Sequence, residues 1–269
     1  MTNSKIERRP PDGPSYRIAV GLEYDGTRYS GWQSQPHAPS IQDSLNAAFS
    51  SVANQTVQST GAGRTDSGVH ASGQVAHIDT SAARDDHSWL LGVNTQLPED
   101  IGLLWVRRVS SKFHARYSAI LRGYRYSILN RPVRSALERD RVWWVHQPID
   151  HERMQEAAQY LVGEHDFSAF RAAACQARSP IRTISKLTIT RQDDHISIYC
   201  WANAFLHHMV RNIVGSLLPI GYGETDPAWI EAILAERDRR RGGITAPACG
   251  LCLTDVVYPP EFNLPSIQA

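Results

Sequence analysis

The residues best placed to do chemistry lie between Gly61 and Asp79, where the chain reads G-A-G-R-T-D-S-G-V-H-A-S-G-Q-V-A-H-I-D. Arg64 stands two residues before Asp66, and Gly61, Gly63, Gly68 and Gly73 free the backbone around them to take positive φ. A carboxylate on such a loop is presented to a reactant, not packed. It can serve as a nucleophile if it stays ionised, and in a dry pocket that requires nearby cations to offset desolvation. Two other readings compete. A dinucleotide-binding loop needs a third glycine where Asp66 stands and a helix able to receive a pyrophosphate, and the sequence has neither. An ordinary hairpin would pair Arg64 with Asp66 as a weak surface ion pair.

Other reactive side chains are scattered. His114, two residues before Arg116, reads as a structural hydrogen-bonding histidine in preference to a general base. His207 and His208 are neighbours, but adjacent residues on a helix point in different directions and no carboxylate stands four residues on, so a metal pair is excluded. Cys249 and Cys252 form a C-x-x-C without a second pair, Cys175 and Cys200 standing apart. No metal and no cofactor is expected. Tyr124 and Tyr126 share one face of a predicted strand, with Arg125 on the other, and Arg131, Arg134, Arg139 and Arg141 follow as phosphate-contact candidates or as a solvated loop.

These groups need elements to hold them. Alternation predicts strands near Tyr16–Tyr24, either side of the glycine loop at 56–60 and 74–79, at Ile101–Val109 and at Arg122–Asn130. Ser40 caps a predicted helix whose Ile41, Leu45, Ala48, Phe49 and Val52 share a face, and a short helix is expected over Ser88–Thr95. Further on, Met154, Ala157, Ala158 and Leu161 mark a helix ending at Gly163. A hairpin turning at Asp193-Asp194 comes next, then a helix over Phe205–Tyr222 and another from Trp229 to Leu234, with Arg237–Arg241 as its solvated end. In the helix over Phe205–Tyr222, Met209, Ile213, Ser216 and Leu217 face the core and Arg211 lies off that stripe.

The loop from Gly61 to Asp79 closely resembles the signature of the tRNA pseudouridine synthase A family, G-A-G-R-T-D-x-G-V-H-A-x-G-Q-V. The likeness continues through Y-D-G-T-x-Y-x-G-W-Q from Tyr24 and S-I-Q-x-x-L from Ser40. It extends to F-H-A-R-x-S-A-x-x-R-x-Y-R-Y from Phe113, D-F-x-x-F from Asp166, F-L-H-H-M-V-R-N-I-V-G from Phe205 and A-P-A-x-G-L-x-L from Ala246. It covers nearly the whole chain after residue 15. The resemblance implies an α/β (α+β) pseudouridine synthase fold: two similar lobes, a mixed, largely antiparallel sheet flanked by helices, and an active cleft between. It implies that Asp66 is catalytic, with Arg64 beside it and Arg211 paired to it, that Tyr124 lies against the target base and that Leu251 is an apolar pocket wall. It further implies a homodimer that grips the anticodon arm of tRNA and converts uridines 38, 39 and 40 to pseudouridine, after flipping the target base out of its stack. Whether Asp66 attacks C6 of the base or assists at C1′ stays open, as does a proton-transfer role for Tyr124. The rival of another class is an RNA-binding protein that keeps the fold without catalysis.

The composition is ordinarily globular. A chain of 269 residues can bury a substantial core and form two lobes, here expected at 15–149 and 150–269 after a disordered tail over 1–14. A net charge of +1 gives no global attraction to RNA, so binding rests on a local basic surface. Only Lys5, Lys112 and Lys186 are lysines, and arginine is the better residue for bidentate phosphate contact. Four cysteines, no apolar run long enough to span a bilayer and a polar N-terminus predict a cytoplasmic, reduced protein with no membrane partner.

Overall fold

The computed structural model describes residues 15–265, so the tail expected over residues 1–14 lies outside the described residues. One ten-stranded sheet forms the frame. Its main path runs β4 (Ile101–Val109), β1 (Tyr16–Tyr24), β3 (His70–Thr80), β10 (Leu251–Val257), β5 (Leu121–Asn130), β9 (His195–Ala202), β8 (Ile181–Gln192) and β7 (Gly163–Asp166). Two short strands lie off that path, β2 (Ser59–Gly61) on β3 and β6 (Trp143–Val145) on β5. Pairing is antiparallel except for β10 with β3 and β6 with β5. The position 149/150 falls between β6 and the next helix, and the sheet crosses it through the eight-residue pairing of β5 with β9.

The helices cover the sheet where their apolar stripes dictate. In α1 (Ile41–Ala53) the Ser40 side chain accepts from the Asp43 amide at 3.1 Å, and Ile41, Leu45, Ala48 and Phe49 are buried. Phe49 packs on Trp89 of α2 (Asp86–Asn94), with ring centroids 5.6 Å apart. On the far side α3 (His151–Gln159) starts from Asp150, whose carboxylate accepts from the Glu152 and Arg153 amides. The central helix α4 (Met209–Gly221) is apolar almost all round and accordingly buried almost all round. It starts four residues later than its apolar spacing predicts, because His208 takes a left-handed φ of 61° and the chain ahead of it is loop.

The run after α5 (Trp229–Glu236) is not simply a solvated end. Arg239 turns inward and donates to Asn212 Oδ1, Gly243 O and Thr245 Oγ1 at 3.1, 2.8 and 3.2 Å, propping α4 one residue from Arg211. A smaller cluster, formed by Ala19, Ala62, Val75, Phe113 and Ala115, covers the other face of the β1–β3 region. Hence both faces of β1 are covered, although its sequence alternates as if one were wet. The C-x-x-C is dispersed: Cys249 Sγ donates to Val142 O and Cys252 Sγ to Ser72 Oγ, and all four cysteines are free.

Candidate active site

Asp66 sits on the loop between β2 and β3, and its neighbours fix that loop by the backbone. The Trp32 amide donates to Thr65 O at 3.1 Å, the Gly68 amide to Tyr29 O at 3.2 Å and the Val69 amide to Asp66 O at 3.1 Å. Thr65 Oγ1 lies 2.9 Å from the buried Tyr24 hydroxyl, and the Gln74 amide holds Gly63 O at 2.8 Å. Gly31 makes this possible: its φ is +94° and a Cβ there would stand 2.4 Å from Thr65 O. Gly61 is required for a different reason, since a Cβ would enter the Trp32 ring at 2.5 Å. The glycines thus serve tight packing of the loop. Gly63 differs, because a Cβ there would make only ordinary contact with the Tyr124 hydroxyl at 3.6 Å.

Three cationic or donor groups converge on the carboxylate from the start of α4. Arg211 Nη1 donates to Asp66 Oδ2 at 3.2 Å across a separation of 145 residues, and its Nε is held by Ala246 O at 2.7 Å. His207 Nε2 lies 3.3 Å from Oδ1 and His208 Nε2 3.5 Å from Oδ2. The divergence expected of adjacent histidines therefore fails, because it presumed a helix. In the loop before α4 the two rings stand side by side with centroids 4.0 Å apart and face the same carboxylate. Burial, first, and the neighbouring His207 and Arg211 charges hold His208 below the usual imidazole range, with Asp66 opposing them.

Tyr124 comes from the centre of β5, between Leu253 of β10 and Cys200 of β9. Its ring is buried and meets Phe205 edge-on at 5.0 Å. Burial pushes its phenol well above the usual range, and the charges of Tyr24 and Asp66 add to that. A phenolate there is disfavoured at neutral pH. Leu251 is buried at the start of β10 opposite Tyr126, while Leu253, opposite Tyr124, stands 3.9 Å from the place of a Gly63 Cβ.

The expected cations divide. Arg211 reaches Asp66, whereas Arg64 is exposed and makes no ion pair among the described residues, so the surface pair of Arg64 with Asp66 is not formed. His114 is structural, its Nδ1 accepting from the Arg116 and Tyr117 amides at 3.2 Å each. Of the later arginines, Arg131, Arg139 and Arg141 pair with Asp194, Asp140 and Asp25.

Sequence reasoning missed three participants. His207 and His208 were legible only as a doublet, and Phe205 only as the first letter of a motif. A fourth, Arg122, lies beside the site with 8 % of its surface exposed and, among the described residues, no carboxylate partner. Its guanidinium donates to Ala62 O at 3.1 Å, Arg116 O at 2.6 Å and Asn203 O at 2.8 Å, which ties the Asp66 loop to two other segments.

Among known proteins, a family model described as tRNA pseudouridine synthase matches residues 22–118 and 157–259. Curated relatives are similar over most of their length. A protein named tRNA pseudouridine synthase A from Methylococcus capsulatus is 56 % identical over 248 residues, covering 92 % of each chain. Proteins of the same name are 52 % identical in Coxiella burnetii and 53 % in Nitrosococcus oceani. The first covers 93 % of this chain and 95 % of the relative, the second 94 % and 97 %.

Proposed function

The chain belongs to the tRNA pseudouridine synthase family, and on that premise we propose that it isomerises uridine to pseudouridine at positions 38, 39 and 40 of the tRNA anticodon arm, with Asp66 as nucleophile. The observation that carries this reading is the meeting of Asp66 and Arg211 at 3.2 Å from segments 145 residues apart. The reaction breaks the bond from N1 of the base to C1′ and makes one from C5 to C1′. It is redox-neutral and calls for no cofactor. What it needs is an ionised carboxylate beside the base, and attack at C6 or at C1′ both begin from that group. Arg211, itself fixed by Ala246, orients the carboxylate.

The substrate must be flipped from its stack at a cost of a few kcal/mol. The Tyr124 ring, steadied by Phe205, offers the flipped uracil a face, with Leu251 and Leu253 as apolar wall. Arg64, exposed and without a carboxylate partner among the described residues, is suited to a phosphate of the same strand. Residues 15–149 and 150–269 act as lobes on either side of the bound arm. A chain of net charge +1 gains from pooling surface, and we read the working unit as a homodimer in the cytoplasm.

The test is to incubate the protein with unmodified tRNA transcripts and map pseudouridine by position. Conversion at positions 38 to 40 that vanishes in Asp66→Asn, with tRNA affinity kept, is the expected result. Conversion by Asp66→Asn at the normal rate would remove the nucleophile assignment. Binding of tRNA without any conversion by the wild-type chain would favour a non-catalytic RNA-binding protein instead.

A further inference from the structure

The histidine pair ahead of α4 and Asp66 form a donor set that the isomerisation does not require. Their ligating atoms all lie within 4.8 Å of one another. A tetrahedral zinc site with bonds of about 2.0–2.2 Å to nitrogen and oxygen has donor-to-donor edges of roughly 3.3–3.5 Å. The contact of 3.3 Å from His207 Nε2 to Oδ1 already has that length, while His208 Nε2 stands 3.5 Å from the other oxygen, Oδ2, and has to swing toward Oδ1 to complete the set. The histidine side chains are 39 % and 29 % exposed, so the rings have room to turn and close the third edge. Imidazole and carboxylate together suit a borderline divalent ion. Arg211 opposes a cation, but it engages Oδ2, 3.2 Å from its Nη1, and leaves Oδ1 free to ligate.

We propose that Asp66, His207 and His208 bind one zinc ion in the RNA-free chain, with water in the fourth position, and that this ion inhibits the enzyme by occupying the catalytic carboxylate. The binding site stands on the geometry alone, while its inhibitory effect rests on the role of Asp66 proposed above. Zinc and the flipped base would then compete for one carboxylate. Cys175 Sγ lies 3.5 Å from the His207 amide nitrogen, and it is the alternative ligand to be separated.

The experiment is a titration of zinc chloride into the full-length, chelator-washed protein against a chromophoric zinc indicator, with cobalt(II) as a spectroscopic substitute. One zinc per chain is expected. Affinity should fall at least about tenfold in Asp66→Asn, His207→Gln and His208→Asn, since even loss of an outer partner of a metal ligand costs roughly 10–100-fold. Asparagine at 208 tolerates the left-handed backbone there, and thermal melts of each variant check that the fold is kept. Cys175→Ser should bind as the wild type does, and the cobalt form should show no thiolate charge-transfer band. Absence of binding, binding indifferent to Asp66→Asn and His208→Asn, or binding lost in Cys175→Ser would overturn the site. Unmodified tRNA should weaken zinc binding, and zinc should slow conversion until a chelator is added. Zinc bound by these residues yet indifferent to tRNA would overturn the inhibitory role only. Neither titration arm depends on turnover, so failure of the isomerase reading would be seen separately.

Discussion

Replacing Arg122 with methionine would test whether a buried cation outside the reacting groups holds the Asp66 loop in place. The side chain is of similar length and apolar, so the volume is nearly kept and the donors are lost. Four carbonyls, those of Ala62, Arg116, Ala119 and Asn203, then lose contacts of 3.1, 2.6, 3.4 and 2.8 Å. A buried acceptor left without a donor costs about 1–3 kcal/mol; the Ala62 contact is buried and the others are part-buried and cost less each, so together they cost on the order of 3–9 kcal/mol. Against this, the substitution removes the several kcal/mol spent on burying an unpaired guanidinium. Burial is the main cause that lowers the Arg122 pKa, which marks that cost. The net expectation is destabilisation of about 2–5 kcal/mol. At about 2–4 °C per kcal/mol for a chain of this size, Tm should drop by on the order of 10 °C. The assay is thermal and urea unfolding of both proteins, followed by turnover well below the lower Tm. Because Ala62 lies four residues from Asp66, kcat should fall more than RNA affinity even where the protein is fully folded. A Tm unchanged within error, with kcat intact, would show that water satisfies the carbonyls and that Arg122 positions nothing.

Arg211→Ala should lower kcat by roughly two to three orders of magnitude, the usual loss on removing one electrostatic partner of a reacting group, with tRNA affinity changed far less. The reverse pattern in single-turnover and binding assays would make Arg211 a phosphate contact. Tyr124→Phe keeps the ring and its edge contact with Phe205, so Tm and tRNA affinity should hold. Since burial raises the phenol, the wild-type pH–rate profile should show no titration near neutrality that this variant abolishes. His77, desolvated between Phe113 and His114 and facing the Arg17 charge, titrates at about 4 in the fold. Its unfolded counterpart takes up a proton near 6.5, so the fold is fully favoured above that pH and loses about 3 kcal/mol as pH falls through 4. Urea unfolding of His77→Gln across that window should show a shallower acid slope than the wild type.

Much of this site could be read from residue types because its parts lie in short, distinctive stretches. Asp66 is marked by the glycines around it. Tyr124 and Arg211, which on pattern alone read as a core tyrosine and a surface arginine, are singled out only through the resemblance of their motifs to the family's. The histidine pair could not be read the same way. An apolar run predicts a helix but not where its first turn begins, and a single left-handed residue at His208 turns two divergent side chains into a converging pair. Arg64 stands two residues from Asp66 in sequence, yet among the described residues it makes no ion pair with that carboxylate. Arg122 was hidden because its partners are backbone carbonyls, which no side-chain pattern records. Of the fold, the alternation of β1, β4 and β5 was plain, yet nothing local says that β10 lies between β3 and β5.

That placement bears on how the protein is made. The strand that joins the two groups of strands, residues 251–257, is made long after the strands it links. Until it emerges, β3 lacks its parallel neighbour and β5 presents an open edge, although both were synthesised well over a hundred residues earlier. Nascent chains therefore carry unpaired strand edges for seconds, at elongation rates of about 5–20 residues per second. Completion of the sheet, and with it the pairing of Leu253 opposite Tyr124, waits for that strand. Chains that stop short of Leu251 should accordingly be clients of chaperones and proteases, not partly active enzymes.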